Sequence, residues 1–320
     1  MDLKNKKNKL KCNLFKTKYI YIFKIFLLIL FLIKYLFLLL KKIIIINKIK
    51  VCICTVGKLE NNYIKEFIIH YKKYGVDRIY LYDNNDLDSE RFEDVISDHI
   101  KNNFVKLFNY RGKTPKQLRI YKHCYKLNKN NYDWLIFYDI DEFIYLKDYN
   151  NIKEFLIQKK FNNCKSIYLN WIKHTDNNLL YYENKSVFER FPEIFKSKRY
   201  CLGKTIIRGK IKNFHSQSTH ILDNGVPKCN GFGKIINFRK KIFCRKPDLK
   251  YNFIEHYEYK SIEEFINKII KGDCLFGFGI KKKYSRIRRY FRYNKITKEK
   301  IYLIQNRTGL NISSFLNLIK

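Results

Sequence analysis

The stretch Asp133-Trp134-Leu135-Ile136-Phe137-Tyr138-Asp139-Ile140-Asp141-Glu142-Phe143 sets how the rest of the chain reads. An aromatic-rich apolar run ends abruptly in three carboxylates. The run has the character of a buried strand. Its carboxylates then fall where a parallel strand meets its loop, the ligand-binding edge of an open α/β sheet. Asp139 and Asp141 are two apart, so on a continuing strand both face one side. Two hard oxygen ligands at that spacing suit Mg²⁺ or Mn²⁺, and such a cation completes its shell with phosphate oxygens. A pair of acids alone is a weak signal, because short motifs recur by chance; the strand before it and the pattern upstream give it weight.

That upstream pattern alternates strands and helices from Val51 onward. Val51–Val56 reads as a first strand. Tyr63–Tyr74 carries Ile64, Phe67, Ile68 and Tyr71 at helical spacing and stops before Gly75. Arg78–Tyr82 is a second strand closing on Asp83-Asn84-Asn85-Asp86, Phe92–His99 a short helix, Val105–Phe108 a third strand and Thr114–Leu127 a helix. This order predicts a mostly parallel sheet with right-handed crossovers. No GxGxxG or phosphate-cradling P-loop appears, which argues against dinucleotide and P-loop chemistry. Downstream, Ser166–Asn170, Ser186–Arg190, Thr205–Arg208 and Ile254–Tyr257 read as strands, and Ser261–Lys271 as a helix capped by Ser261.

The 320 residues suffice for one large domain or two small ones, and a 46% hydrophobic content supports a sizeable core. Lys plus Arg number 66 against 29 acids, a net charge of +37. Nucleic acid is not the expected partner. Lys, Asn, Ile, Tyr and Phe are over-used together, as AT-rich codon usage produces, and the charge is spread along the chain. A basic surface still favours anionic partners such as lipid headgroups and sugar nucleotides. Nine cysteines without a CxxC pair exclude ordinary zinc spacing. Cys52 and Cys54 sit in an apolar strand; Cys164, Cys201, Cys229, Cys244 and Cys274 are candidates for disulfides whose pairing the sequence leaves open.

At the start, a lysine-rich tail (1–18) precedes an apolar run at Tyr19–Leu40, interrupted by Lys24 and Lys34. Its 22 residues compare with the roughly 20 that a helix needs to cross a bilayer. Lys34 costs roughly 2.5–3.5 kcal/mol at a helix centre, an amount its apolar neighbours and snorkelling offset. No small-residue cleavage site follows, so a retained anchor is expected. Seven lysines before the run and four soon after it favour a cytosolic N-terminus and a lumenal or external catalytic part. The organisation expected is tail, transmembrane anchor (19–40), short stem (41–50), α/β domain (51–280) and basic helical tail (281–320).

Motifs in order then resemble a family. Glu60–Phe67, His70-Tyr71 and Gly75-Val76-Asp77 resemble its first strand–helix unit, and Tyr82-Asp83-Asn84-Asn85 the loop after its second strand. Gln117, Tyr121 and Cys124 resemble the next helix, and Asp139-Ile140-Asp141-Glu142-Phe143 its metal motif. Trp171, Glu189-Arg190-Phe191, Gly203-Lys204, His220, His256-Tyr257, Lys260-Ser261 and Glu263-Glu264-Phe265 follow. From about Val51 to Asp273 the chain is similar to the GT-A glycosyltransferases of family 92, formerly domain of unknown function 23, and related family-2-like enzymes. Two departures stand out: Gly57-Lys58-Leu59-Glu60 replaces the more usual Lys-Asn-Glu, and Ile172–Asp176 replaces a Phe-Gly next to the acceptor site.

The resemblance implies a Rossmann-like GT-A fold and a UDP- or GDP-sugar donor. Thr55, Glu60 and Asp83 would line base and ribose, with Gln117 and Lys204 also at the nucleotide sugar. Asp139, Asp141 and His256 would hold the metal; imidazole favours Mn²⁺ over Mg²⁺. The family inverts, so a carboxylate must accept the acceptor's proton; the candidates are Glu142, Asp176 and Glu189. A glycan or protein-linked acceptor and a membrane complete the expected partners. Competing readings are a nucleotidyltransferase using the same acids and an inactive, basic, membrane-attached binding protein of transferase fold.

Overall fold

The computed structural model describes residues 2–114, 116–195, 202–212, 214, 218–220, 227–236, 249–272 and 279–312, with backbone alone for 2–22 and 271. Two compact units result, Met1–Ile49 and Lys50–Lys320. The first is one helix, α1 (Asp2–Lys48). Its Phe23–Lys48 stretch is long and apolar enough to cross a membrane, and its large apolar side chains from Phe23 to Ile45 are exposed.

The second unit opens with β1 (Val51–Gly57), α2 (Asn61–Lys73), β2 (Arg78–Asp83), α3 (Glu93–Lys101), β3 (Val105–Asn109), α4 (Gln117–Asn128) and β4 (Trp134–Phe137). Every residue of β1 is buried, as a central parallel strand covered on both faces requires. α2 buries Tyr63, Ile64, Phe67, Ile68 and Tyr71, the stripe its periodicity predicts, and the chain turns at Gly75 with φ +78°. On the other face α4 lays Ile120, Tyr121, Cys124 and Tyr125 onto Cys52, Cys54, Val56, Leu135 and Phe137. Where β1 ends, a Cβ at Gly57 would come within 2.5 Å of the Ile140 tip and 2.6 Å of the Phe92 ring, so these side chains would have to move.

Then follow β5 (Glu142–Leu146), α5 (Ile152–Leu156), β6 (Ser166–Lys173), α6 (Val187–Arg190), β7 (Gly203–Arg208), β8 (Lys228–Asn230), β9 (Asn252–His256), α7 (Ile262–Lys271), α8 (Ile280–Tyr293) and α9 (Lys298–Thr308). The strand order is β3-β2-β1-β4-β7-β6-β9-β5, with β8 also on β6. Among the described residues five of the eight pairings are parallel, so the sheet is mixed but mostly parallel. Ser186–Arg190 differs from the strand expected there. Ser186 accepts from Phe188 N and caps the short helix α6, while Glu66 accepts from Val187 N, so local capping overrides a weak strand pattern.

Cys164 and Cys229 form a disulfide, whereas Cys52, Cys54 and Cys124 are buried thiols. Cys201, Cys244 and Cys274 lie outside the described residues. The basic segment expected after residue 280 is helical, and it packs: Ile287, Tyr290 and Phe291 of α8 and Ile304 of α9 share an apolar cluster with Ile262, Phe265, Ile266 and Ile269 of α7.

Lys50 belongs to the α/β unit. Its N–H donates to Asp133 Oδ2 at 2.8 Å and its carbonyl accepts from Asp133 N at 2.9 Å. Removal of residues 1–49, sparing Lys50, is therefore expected to give a water-soluble protein that unfolds cooperatively and keeps its catalytic activity. Aggregation of that protein with loss of its thermal transition would show that the apolar helix belongs to the core.

Candidate active site

The register of the parallel strands brings distant residues to one edge. Gly57 on β1 pairs with Asp83 on β2, and Cys54 pairs with Phe137 on β4, two residues before Asp139. Asp83 and Asp139 thus share the carboxyl edge of the sheet, although 56 positions separate them. On the β5–β9 pair, Glu142 stands opposite His256, and His256 also pairs with Lys173 of β6.

Asp141, Glu142 and His256 converge there, with potential ligand atoms all within 4.8 Å of one another. His256 Nε2 lies 3.5 Å from Asp141 Oδ1, and its ring packs on Trp171 with centroids 4.2 Å apart. Two buried atoms of this trio, His256 Nδ1 and Glu142 Oε1, have no hydrogen-bond partner. Buried polar atoms are rarely left so. Two carboxylates and an imidazole with orphaned donor atoms fit a Mn²⁺- or Mg²⁺-sized cation.

Asp139 is held differently from the sequence expectation. Its Oδ1 accepts from Gln117 Nε2 at 2.6 Å and Tyr121 OH at 3.0 Å, and its Oδ2 from Lys204 Nζ at 2.8 Å. Lys204 also lies 3.6 Å from Glu142 and is 1% exposed. Gln117 and Lys204 therefore reach the site by gripping an acid. Glu142, a candidate base from its place after the acids, lies within the trio of possible metal-holding groups; its Oε2 accepts from Asp139 N at 3.0 Å.

The electrostatics of the three acids diverge. Burial pushes the Glu142 carboxyl well up, with Lys204 opposing and Asp139 and Asp141 reinforcing. Burial also opposes the charge on Asp141, but Lys268 at 3.0 Å and His256 hold it well below the ordinary range. At Asp139 burial is likewise outweighed, chiefly by Lys204. Environments that split neighbouring carboxyls in this way mark functional sites.

The remaining candidates scatter. Asp83 is buried and bonded to Asn85 N at 2.9 Å and to Arg111 at 3.2 Å. Arg111, which the sequence reading passed over, also donates to the carbonyls of Asp86, Leu87, Ser89 and Glu90 and so fixes the loop after β2. Thr55 is buried in β1, its hydroxyl without a partner. Glu60 precedes α2, 3.6 Å from Lys260, and lines a cleft of about 420 Å³ with Leu59, Tyr63, Tyr259, Lys260 and Lys268. Leu59 and Lys260 both hold left-handed backbone, at φ 56° and 55°, a strain that clusters at functional clefts.

Neither Asp176 nor Glu189 joins the acids. Glu189 is exposed on α6. Asp176 is buried and accepts from Tyr290 OH, Lys300 Nζ and Asn178 N, pinning α8 and α9 to the segment after β6. Removing one partner of such a buried pair costs roughly 3–5 kcal/mol. Asp176→Asn is thus expected to lower the melting temperature while leaving turnover of the folded protein nearly unchanged. A normal melting temperature with collapsed turnover would return Asp176 to the chemistry.

Three partly or fully buried histidines set a pH limit. Burial lowers His70, His174 and His220 to about 4. Unfolded, each titrates near 6.5, so the unfolded chain gains protons first as pH falls, and each histidine removes roughly 2 kcal/mol of stability by pH 5. Glu255, which burial raises to about 7, and Glu142, which burial also pushes up, work the other way; Glu255 returns about as much as one histidine between pH 7 and 5. Stability is expected to be full above pH 6.5 and to fall toward pH 4, as denaturant titrations across that range would show. A flat profile would contradict the neutral, desolvated state of these histidines.

Comparison with known proteins identifies a family. The profile described as glycosyltransferase family 92 matches residues 47–306. A Ricinus communis protein named for that family is 29% identical over 97 residues, 30% of this chain and 17% of the relative. An Oryza sativa subsp. japonica protein of the same designation is 28% identical over 94 residues, 29% of this chain and 16% of its own length. The aligned part is thus a minor share of those relatives. Among solved structures, S. aureus TarS 1–349 in complex with UDP-GlcNAc gives a TM-score of 0.37 at 11% identity, over 85% of this chain and 82% of that one. The mannosyltransferase PcManGT from Pyrobaculum calidifontis, in complex with GDP-Man and Mn²⁺, gives 0.36 at 7% identity, over 81% and 69%. Likeness at that level transfers nothing about substrate.

Proposed function

The chain belongs to glycosyltransferase family 92, and from that premise we propose that it is a membrane-anchored, divalent-metal-dependent transferase. It moves a sugar from a UDP- or GDP-sugar to a hydroxyl of a glycan or protein-linked acceptor, with inversion at the anomeric carbon. The convergence of Asp141, Glu142 and His256 at the carboxyl edge of the parallel strands carries this reading. Asp141, Glu142 and His256 would hold the cation, with Asp139 beside them. When bound, it would supply positive charge against the developing nucleoside diphosphate.

The chain's own residues do the positioning. Arg111 fixes Asp83 at the edge of β2, where its carboxylate can accept from a base N–H once the donor is bound. Gln117, Tyr121 and Lys204 lock Asp139 in one rotamer, so the acidic edge does not reorganise during transfer. The cleft beside Lys268 offers Tyr63, Tyr182 and Tyr259 as faces for a saccharide and Glu60 and Asn267 for its hydroxyls. The Phe23–Lys48 helix anchors the enzyme, with residues 50–308 as the folded catalytic unit on the lumenal or external side; a Cys164–Cys229 disulfide suits such an oxidising space.

Chelation tests the metal assignment. Treatment with EDTA is expected to abolish release of nucleoside diphosphate, and Mn²⁺ to restore it more fully than Mg²⁺. Undiminished activity in excess chelator would remove the metal from the mechanism.

A further inference from the structure

One face of α8 is turned to solvent and is basic along its length. Residues 274–298 hold nine Lys and Arg and no acid. The structure folds the middle of this stretch into an amphipathic helix. Ile287, Tyr290 and Phe291 pack against α7 and α9, and that packing turns Lys281, Lys282, Ser285, Arg288 and Arg292 outward, all of them exposed. From Lys281 to Arg292 the face covers about 16 Å of helix. Lys281, Lys282 and Lys283 also crowd the first turn, which holds no acid, against the positive end of the helix dipole. An anion lying along the helix offsets that cost.

This face adjoins the cleft. Arg289, at its edge, lies 3.8 Å from Glu258 Oε1. Glu258 lines the cleft of about 420 Å³ together with Tyr182, Tyr259, Asn267 and Lys268. Asn267 and Lys268 belong to α7, the helix on which α8 packs. A long ligand whose end enters the cleft would therefore run on along α8.

Three kinds of polyanion answer to such a charge, and two suit this helix poorly. An interfacial helix sinks its apolar face among lipid headgroups, but here α7 and α9 occupy that face. Nucleic-acid strands are gripped by stacking bases on exposed rings, and none of the exposed residues of α8 is aromatic. An acidic polysaccharide needs neither, because guanidinium forks take its carboxylates in pairs.

We propose that Lys281, Arg288, Arg289 and Arg292 form a docking track for an acidic polysaccharide whose terminal sugar enters the cleft. This deepens the transferase reading and rests on it for that polysaccharide to be the acceptor. The track needs only the sign and the exposure of these side chains, and it lies outside the acids that would hold the metal.

The test measures binding of fluorescent alginate, a polymer of uronic acids, to the full chain in phosphatidylcholine nanodiscs, without metal and at about 0.15 M salt. The wild type is expected to bind it, and K281Q/R288Q/R292Q to bind it at least about tenfold more weakly, as three modest exposed charge contacts together produce. N267A, which trims the cleft and changes no charge, is expected to weaken alginate about threefold and to leave binding of duplex DNA and of phosphatidylserine vesicles as it was. K101Q/K122Q/K126Q, at exposed lysines of α3 and α4, removes the same charge elsewhere and is expected to stay within about twofold of the wild type. Equal losses in the two triple variants, or no alginate binding by the wild type, overturn the track. Unchanged alginate affinity in N267A, with the α8 triple variant losing alginate, DNA and vesicles alike, overturns the polysaccharide as its occupant. Release of nucleoside diphosphate from a panel of sugar nucleotides is read on the same samples. Alginate binding that responds to both the α8 and the cleft variants, without release from any donor, leaves the track standing and sinks the transferase reading.

Discussion

Asp141→Asn is expected to lower sugar transfer at least about a thousandfold, the loss that several kcal/mol of missing charge stabilisation produces. Asp141 is the strongest candidate because it is the acid held most firmly ionised, and it faces His256 and Glu142 across the trio. The substitution preserves shape, and the backbone carbonyl of Asp141 still accepts from Tyr257 N at 2.9 Å. Lys268, 29% exposed on its side chain, can turn to water when its partner loses charge. The melting temperature should therefore change little while Mn²⁺ affinity and turnover fall together. Retained Mn²⁺ binding with unchanged turnover would remove Asp141 from the site.

Lys204→Met is expected to cost roughly 3–5 kcal/mol of stability. Burial opposes the ammonium, yet Asp139 and Glu142 hold it above its ordinary value, so all three groups depend on one another. Without it, the buried Glu142 carboxyl and the partly exposed Asp139 carboxyl remain beside Asp141, and methionine fills the space without satisfying either. The deficit should shrink as pH falls, because a carboxyl whose folded value is raised gains stability once it is protonated. Chemical denaturation at pH 5.5 and pH 8 measures this. A variant equally destabilised at both would mean that lost packing, not stranded charge, is the cause.

Much of this arrangement was legible in the chain because its signals are local. The apolar run 134–138, the stripe on α2 and the Ser261–Glu264 capping box each depend on residues within a turn or two of one another. The acids at 139–142 follow from where such a strand must end. What stayed hidden depends on tertiary contact. Nothing in the spacing of Arg111 announces that it grips five groups around the β2 loop, and nothing around Lys268 tells that it reaches Asp141 across 127 positions. Glu142 read as a possible base because it follows the acids in sequence, yet antiparallel pairing of β5 with β9 sets it against His256. Asp176 read as catalytic for its place after β6; the buried Lys300 that claims it comes 124 residues later. The Ser186–Arg190 segment failed as a strand because its capping serine decided the local structure.

The central claim is that this acidic edge drives nucleotide-sugar chemistry. The most direct measurement is release of nucleoside diphosphate from a panel of UDP- and GDP-sugars by the full chain in detergent with Mn²⁺, run beside Asp141→Asn. The account predicts release from at least one donor by the wild type and none above background by the variant. Equal release by both proteins, or none by the wild type from any donor while it binds Mn²⁺ and remains folded, would contradict it and favour an inactive binding protein of transferase fold.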